Sequence, residues 1–219
     1  MAKKTKRHVK KSVKILIVAL LVLIGGLIVF KVIKPNTKTI KKIAVSDKIE
    51  GYGYTLNENA TSYQKKLFKN LKTLLEGNDV DDEEYAKLVA KSFIADFYTL
   101  DNKLTSNDIG GVQYVYKDYR KDFSKYASES IYHTVQSNIY GNRKQDLPVV
   151  SSIEIAKSDQ NTVKYLNKED AKGYEVDLTI TYIKDLKYQE DVKLNLVHNG
   201  KKIEVVRMEN NDVTSSTNE

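Results

Sequence analysis

Hydrophobic residues recur at helical spacing in the first half of the folded part and at alternate positions after Pro148. An apolar stripe with steps of three and four residues predicts an amphipathic helix that begins near Thr61 and ends at Gly77. Asp81, with Glu84 three residues later, predicts a capped start for a second helix. The first stripe consists of Tyr63, Leu67, Phe68, Leu71, Leu74 and Leu75, and the second of Tyr85, Leu88, Val89, Phe93, Phe97 and Leu100.

Glycines divide the rest of the helical pattern. After Gly110 and Gly111 the spacing predicts a third, tyrosine-rich helix. A shorter helix is expected over residues 129–140, with its end at Gly141. The apolar face of the third helix would consist of Val112, Val115, Tyr116, Tyr119, Phe123 and Tyr126.

The pattern after Pro148 predicts an antiparallel sheet. Residues 150–156 form a candidate strand, and residues 174–182 alternate between apolar and polar side chains, as in a sheet with one solvated face. Alternating runs flank the turn signal Asn199-Gly200, which predicts a tight hairpin between two further strands. Helices followed by antiparallel strands indicate an α+β fold, with three to four helices packed on a curved sheet.

The N-terminal residues have the pattern of a membrane anchor. Residues 15–30 contain no charged side chain, and seven basic residues with no acid precede them. Extended to residues 13–33, the stretch is 21 residues long. A helix of that length crosses a hydrocarbon core of about 30 Å. We therefore expect one transmembrane helix over residues 13–34, in contact with the lipid bilayer.

A cleaved signal peptide is the alternative interpretation, but the residues after Phe30 offer no small-x-small cleavage site. The basic tail, residues 1–12, favours a cytoplasmic N-terminus and an extracellular C-terminal domain. Six lysines between residues 31 and 48 make the other side of the span basic as well, so the charge difference that favours this orientation is small. The expected location is the cell membrane, with a single pass.

The remaining chain divides into a linker, one domain and a tail. Pro35 ends the apolar helix, and residues 35–60, which show no sustained period, are interpreted as a stalk. Residues 61–209 are long enough for one hydrophobic core. The polar residues 210–219 are expected to be disordered.

The net charge of +7 lies beside the predicted membrane span and not on the folded domain. Residues 1–14 carry +7 and residues 31–49 carry +5, whereas residues 50–219 carry −5. Basic residues beside a membrane attract anionic headgroups, whereas a nucleic-acid-binding domain carries them on its own surface. Nucleic acid is therefore not expected as a partner.

No catalytic motif is present, so we predict no catalytic, cofactor-binding or metal-binding residues and no enzymatic activity. The sequence has no cysteine, which excludes disulfides, thiol chemistry and a lipid-modified cysteine. His8, His133 and His198 have no recognisable partner motif around them. The acids between Asp79 and Glu84 do not have the spacing of a calcium loop, and they suit a helix N-terminus.

The tyrosines after residue 110 differ in their expected environment. Tyr116, Tyr119 and Tyr126 fall on the apolar face of the third helix, which predicts that they are core residues. The tyrosines off this face are Tyr114, Tyr132 and Tyr140. These three are predicted to be partly exposed, and exposed tyrosine is enriched in protein interfaces.

The order of elements, together with the segment Ser92-Phe-Ile-Ala-Asp-Phe-Tyr-Thr-Leu-Asp-Asn-Lys103, resembles the inner-membrane assembly factor of type IV secretion and conjugation machines. The resemblance covers residues 10–209 and concerns architecture, not a diagnostic motif. It implies an exported nuclear-transport-factor-2-like (cystatin-like) cone, in which aromatic residues of a long second helix face the sheet. It transfers no active-site residue. The abundance of Lys, Asn, Tyr and Ile is typical of a low-GC Gram-positive bacterium.

Two functions follow as hypotheses. The first is a non-catalytic scaffold that contacts other membrane or secretion-complex proteins, with weak homo-oligomerisation among the expected contacts. The second is a cell-surface module that binds a small ligand or cell-wall fragment in the cone cavity, with hydrolytic activity as an option. A cavity filled by Phe93, Phe97, Leu178 and Ile180 would favour the scaffold. An open cavity with converging Asp, His or Tyr side chains would favour the second function.

Overall fold

The computed structural model describes residues 43–210, which form three α-helices, a two-stranded hairpin and a four-stranded antiparallel sheet. The predicted basic tail, the transmembrane helix, residues 35–42 of the stalk and residues 211–219 lie outside the described residues. Within residues 43–210, no helix has both the length and the apolar character needed to cross a membrane.

The elements follow the predicted order of helices and then strands, with one additional hairpin in front. The helices are α1 (Ser62–Leu75), α2 (Asp82–Tyr98) and α3 (Arg120–Glu129). The strands are β1 (Val45–Ile49), β2 (Tyr54–Asn57), β3 (Val150–Tyr165), β4 (Lys168–Tyr182), β5 (Asp191–Asn199) and β6 (Lys202–Asn210). β3 to β6 are neighbours in chain order, so the sheet is an antiparallel meander.

Both predicted helix starts are confirmed by their caps. At α1, the Thr61 hydroxyl accepts a hydrogen bond from Gln64 N, and the Gln64 side chain accepts one from Thr61 N, which completes a capping box. At α2, the Asp81 carboxylate accepts a hydrogen bond from Glu84 N at 3.0 Å. Each cap satisfies an amide that the helix itself leaves without a partner.

α2 is the central element of the domain. It contacts all four strands of the sheet and also packs against α1. Its predicted stripe is buried, and so are Ala86, Ala90 and Ile94 outside that stripe. The one-sided pattern therefore underestimates the burial of α2, because this helix packs against both the sheet and α1.

The predicted third helix is wrong over its first part. Residues Val112–Tyr114 and Lys117–Tyr119 form short 3₁₀ turns, and the α-helix begins only at Arg120. Between the turns, Tyr116 N donates a hydrogen bond to Val205 O of β6, an edge strand of the sheet. The backbone therefore bonds to the sheet and not to a preceding helical turn.

The predicted helix over residues 129–140 is also wrong. This part of the chain contains turns, and Arg143 holds it in place by donating to Lys103 O at 2.9 Å and to Gln136 O at 3.2 Å. Tyr132 anchors it in the core, where its hydroxyl donates to Phe97 O at 2.7 Å and accepts from Gly110 N at 3.0 Å. These long-range bonds replace those of a local helix.

The stalk prediction is wrong for the described residues 43–60. Here β1 and β2 form an antiparallel hairpin whose Ile49 and Tyr54 belong to the hydrophobic core, with 1% and 0% exposure. The Tyr54 hydroxyl lies 3.0 Å from that of Tyr85 and donates to Ile203 O at 3.2 Å. The folded domain therefore begins well before Thr61.

Two strands of the sheet are longer than the sequence pattern predicted. β3 and β4 continue past the predicted ends into a long hairpin that turns between Tyr165 and Lys168. The final hairpin is confirmed: Asn199 pairs with Lys202, and Gly200 takes φ +62° at the first loop position. A positive φ at that position is typical of two-residue hairpin turns and favours glycine.

Candidate functional site

The inner face of the sheet is filled by side chains. Phe93, Phe97, Leu178 and Ile180 are each at most 3% exposed. The Phe93 and Phe97 rings stack with centroids 5.8 Å apart, and Phe97 also contacts the ring of Tyr132 at 5.7 Å. This is the arrangement that we expected for a scaffold and not for a ligand-binding cone.

A polar pocket lies on another side of α2, where it meets β2, α1 and the chain from Asn102 to Tyr114. Its empty volume is about 500 Å³ with the solvent-open part included. Apolar walls are contributed by Leu56, Leu67 and Phe68. We call it the α2 pocket.

Asp96 of α2 is the centre of the polar side of this pocket. One of its carboxylate oxygens accepts from Lys103 Nζ at 2.6 Å, and the other accepts from Gly111 N at 2.7 Å. The Lys103 side chain is 6% exposed, so this is a largely desolvated ion pair. The pair joins the end of α2 to the loop that follows it.

Gly110 permits this close packing. A Cβ atom at position 110 would lie 2.1 Å from Asp96 O and 2.7 Å from Lys103 Nζ. Both distances are far below van der Waals contact, so only glycine fits between the helix and the ion pair.

A network of side-chain amides forms the next part of the pocket. Asn102 Nδ2 donates to Gln64 Oε1 at 3.1 Å and to Asn59 O at 3.3 Å, and Asn59 Nδ2 donates to Asn102 O. Gln64 Nε2 donates to Ala95 O at 3.2 Å. The Asn102 Oδ1 atom is buried and has no hydrogen-bond partner among the described residues.

Ser92 and Tyr114 lie at the base of the pocket. Ser92 is 5% exposed, and its hydroxyl interacts with the Tyr114 phenol. Burial raises the pKa of that phenol above its usual value, the Asp96 carboxylate adds to the rise, and the Ser92 hydroxyl lowers the pKa by less. Tyr114 therefore stays protonated at neutral pH.

His198 has carboxylate partners that the sequence did not indicate. Its backbone N–H and its Nδ1 lie 2.7 and 2.8 Å from Asp170 Oδ2, and its Nε2 lies 3.5 Å from Asp82 Oδ2. Burial raises the pKa of the Asp170 carboxyl, but hydrogen bonds from the N–H groups of His198 and Lys172 outweigh it, so the pKa lies below its usual value. The contact joins β4, the final hairpin and the start of α2.

The other histidines and the acidic run considered in the sequence analysis are not among the described residues that line the α2 pocket. His133 is exposed, and His8 lies outside the described residues. Asp82, Glu83 and Glu84 occupy the first turn of α2. Within the described part of the chain, no group of three or more His, Cys, Asp or Glu side chains could hold a metal ion.

The tyrosine predictions after residue 110 are mixed. Tyr126 is 71% exposed and not a core residue, whereas Phe123, three residues earlier on α3, packs against the core. Tyr114 and Tyr132 are 4% and 0% exposed and not at the surface, whereas Tyr140 is 49% exposed, as predicted.

Four tyrosines form a series that runs from the buried Tyr98, which is 4% exposed, to the exposed Tyr126. The Tyr126 phenol lies near that of Tyr98, and the Tyr98 phenol lies near that of Tyr182. The Tyr182 and Tyr188 rings are 6.3 Å apart. Burial raises the pKa of Tyr98 to about 12, with a contribution from Tyr126. We call Tyr98, Tyr126, Tyr182 and Tyr188 the tyrosine patch.

Comparison of the chain with known proteins found no matching family model, no similar curated protein and no similar solved structure.

Proposed function

We propose that this protein is a membrane-anchored, non-catalytic scaffold that acts through protein–protein contacts of its extracytoplasmic domain. Residues 13–34 would hold it in the bilayer, with residues 1–12 in the cytoplasm. Anchoring confines protein and partner to two dimensions, where weak contacts act at high effective concentration. The host would be a Gram-positive bacterium, and the complex one of the conjugation or type IV secretion kind.

The filled inner face of the sheet carries this proposal. In a ligand-binding cone that face is the wall of the cavity, whereas here the four residues that would form the wall are in the core. The domain therefore presents its surface, and not an internal cavity on the sheet, for interaction. This favours the scaffold over a ligand site in the cone.

The tyrosine patch is the surface that we assign to a partner. Tyrosine gives large, rigid contact area with a polar tip, and it is enriched in protein interfaces. Tyr126 is 71% exposed and lies near the buried Tyr98, and Tyr182 and Tyr188, which continue the series, are half-buried. An exposed anchor supported by ordered neighbours is typical of an interaction hot spot.

The architecture supports the same proposal by resemblance. Helices come first and an antiparallel meander follows, and the aromatic residues of α2 face the sheet, as expected for a nuclear-transport-factor-2-like domain. The N-terminal hairpin and the short α3 differ from the expected element list.

Site-specific photo-crosslinking in intact cells tests the proposal. The full chain would be expressed in its host with p-benzoylphenylalanine at position 126, and separately at Leu166 as a control. Leu166 is 54% exposed at the tip of the β3–β4 hairpin, so exposure alone cannot explain a difference. We expect a covalent adduct with another membrane protein from position 126 only.

Two results would contradict the proposal. One is the absence of adducts from position 126 in a protein that is folded and membrane-bound. The other is equal crosslinking from both positions, which would indicate random collisions and no defined surface.

A further inference from the structure

The exposed face of α1 carries three lysines, and α1 itself contains no acidic residue. None of the three forms an ion pair with a carboxylate of the described residues. Lys72, in the last turn of the same helix, is by contrast paired with Asp47 at 2.9 Å. The face therefore has three positive charges that the described part of the chain does not compensate. We call them the α1 lysines: Lys65, Lys66 and Lys69.

The stability of the helix does not account for this arrangement. Lys65 and Lys69 are four residues apart, and like charges at that spacing destabilise a helix. The N-terminal end of a helix also favours acids over bases. α2 follows that rule, since three acids occupy its first turn and Glu83 pairs with Lys87. A negatively charged partner would remove the repulsion between the α1 lysines.

The chain enters the domain beside α1. Ile43, the first described residue, lines the α2 pocket together with Phe68 of α1. The ion pair between Asp47 of β1 and Lys72 joins the first strand to the same helix. Residues 35–42 separate Ile43 from the predicted span, and an extended chain of that length reaches about 28 Å at most. In an anchored chain, this tether keeps the α1 side of the domain within reach of the bilayer.

We infer that the α1 lysines dock the domain on the anionic lipid headgroups of the membrane that anchors it. A lysine close to a negatively charged membrane surface strengthens binding about fivefold. The anchor confines the domain to that surface, so the three contacts form at high effective concentration. The stalk adds charge of the same sign through Lys38, Lys41 and Lys42. The inference rests on the anchor of the proposed function and goes beyond it, because it states which face of the domain meets the bilayer.

A single fluorescent label on the full chain tests the inference. The sequence has no cysteine, so Asn70→Cys creates one labelling site on the exposed face of α1, four residues after Lys66. The protein would be reconstituted in vesicles of phosphatidylcholine with and without phosphatidylglycerol, and quenching by a lipid with a nitroxide on its headgroup would be measured. Leu166→Cys, at the exposed tip of the β3–β4 hairpin, is the matched site on another element. We expect phosphatidylglycerol to increase quenching at position 70 and not at position 166.

Two triple variants distinguish a defined face from net charge. Replacement of all three α1 lysines by Gln should lower the ratio of docked to undocked domain about 100-fold, because each contributes about fivefold. Quenching at position 70 should then be the same in both kinds of vesicle. The control variant has the same charge change on exposed lysines outside α1 that likewise form no ion pair within the described residues, and it should be quenched as strongly as the unaltered chain. Its substitutions are Lys121→Gln, Lys125→Gln and Lys144→Gln.

Salt gives a second test that needs no substitution. Exposed charges are screened at high ionic strength, so salt should reduce quenching at position 70 in the anionic vesicles to the level of the neutral ones. An unchanged Tm of the α1 triple variant, followed by circular dichroism, would show that its loss of quenching is not a loss of fold.

Flotation of the vesicles separates the outcomes. If the chain floats with the vesicles but phosphatidylglycerol does not change quenching at position 70, the α1 lysines do not bind headgroups. Equal quenching of the two triple variants would also overturn the inference, because net charge alone would then explain the contact. If the chain floats with no vesicle, the predicted span is wrong and the inference fails with it.

Discussion

Individual side chains in this domain differ greatly in how much they contribute to the free energy of unfolding. Phe97 contacts four other aromatic rings, those of Phe93, Tyr98, Phe123 and Tyr132, with centroids 4.9 to 5.8 Å away. In such close packing, no neighbouring side chain can move in to fill the space that a smaller residue at position 97 would leave. Tyr126 on α3 is, by contrast, 71% exposed.

Phe97→Ala should reduce the free energy of unfolding by about 3–5 kcal/mol, because the cavity left in the aromatic cluster cannot collapse. Tyr126→Ala should change it by no more than about 0.5 kcal/mol, as for an exposed residue. Chemical denaturation of the two variants beside the wild type measures both values. Equal effects would show that this packing is wrong.

Asp170 should make stability depend on pH in the acidic range. Its pKa is lowered in the folded state, so its stabilising contribution is complete above the unfolded pKa of about 3.9 and is lost as the pH falls through the folded value. Asp170→Asn should therefore be less stable at neutral pH and lose less stability on acidification. The measurement is Tm between pH 7 and 2, with the exposed Asp79→Asn as control. Parallel curves for wild type and Asp170→Asn would contradict the prediction.

At the scale of elements, the Gln113 side chain joins the β1–β2 hairpin to the chain after α2. Gln113 Oε1 accepts from Thr55 N at 2.8 Å, and Gln113 Nε2 donates to Thr55 O at 3.0 Å. This pairing imitates a strand ladder and joins β2 to the 3₁₀ turn Val112–Tyr114. It also places the edge of the hairpin beside the α2 pocket.

Gln113→Ala should cost about 1–3 kcal/mol and increase hydrogen exchange at the Thr55 amide, because half-buried backbone groups would lose their partners. Gln145→Ala is the control. Its amide makes similar bonds, to Gln136 N and Thr134 O, but in an exposed loop far along the chain. If Thr55 exchanges at the wild-type rate in Gln113→Ala, the hairpin is held by its core residues alone.

For the whole molecule, the proposed function requires the anchor. Protease added to intact protoplasts should digest residues beyond about 40 and spare the N-terminal tail, as expected for a single span with positive residues inside. Deletion of residues 1–34 should move the protein out of the membrane fraction and abolish its function in cells. Recovery of the unaltered chain in the soluble fraction would contradict the predicted span at residues 13–34.

The sequence by itself determined the features that depend on neighbouring residues. Thr61 and Asp81 cap the two helices that they were expected to begin. The alternation around Leu178 placed one face of β4 in the core, and Gly200 closes the last hairpin. In each case the decisive interactions lie within a few residues or follow a local period, so one chain is enough to predict them.

Only the tertiary structure decided the rest, because those features depend on contacts between distant segments. Tyr132 is buried by its bonds to Phe97 and Gly110, and no local period records such partners. The α2 pocket likewise combines residues of the hairpin, α1, α2 and the loop after α2. His198 meets Asp170 through the register of neighbouring strands, 28 positions apart. Pairing at such separations is set when the whole core forms.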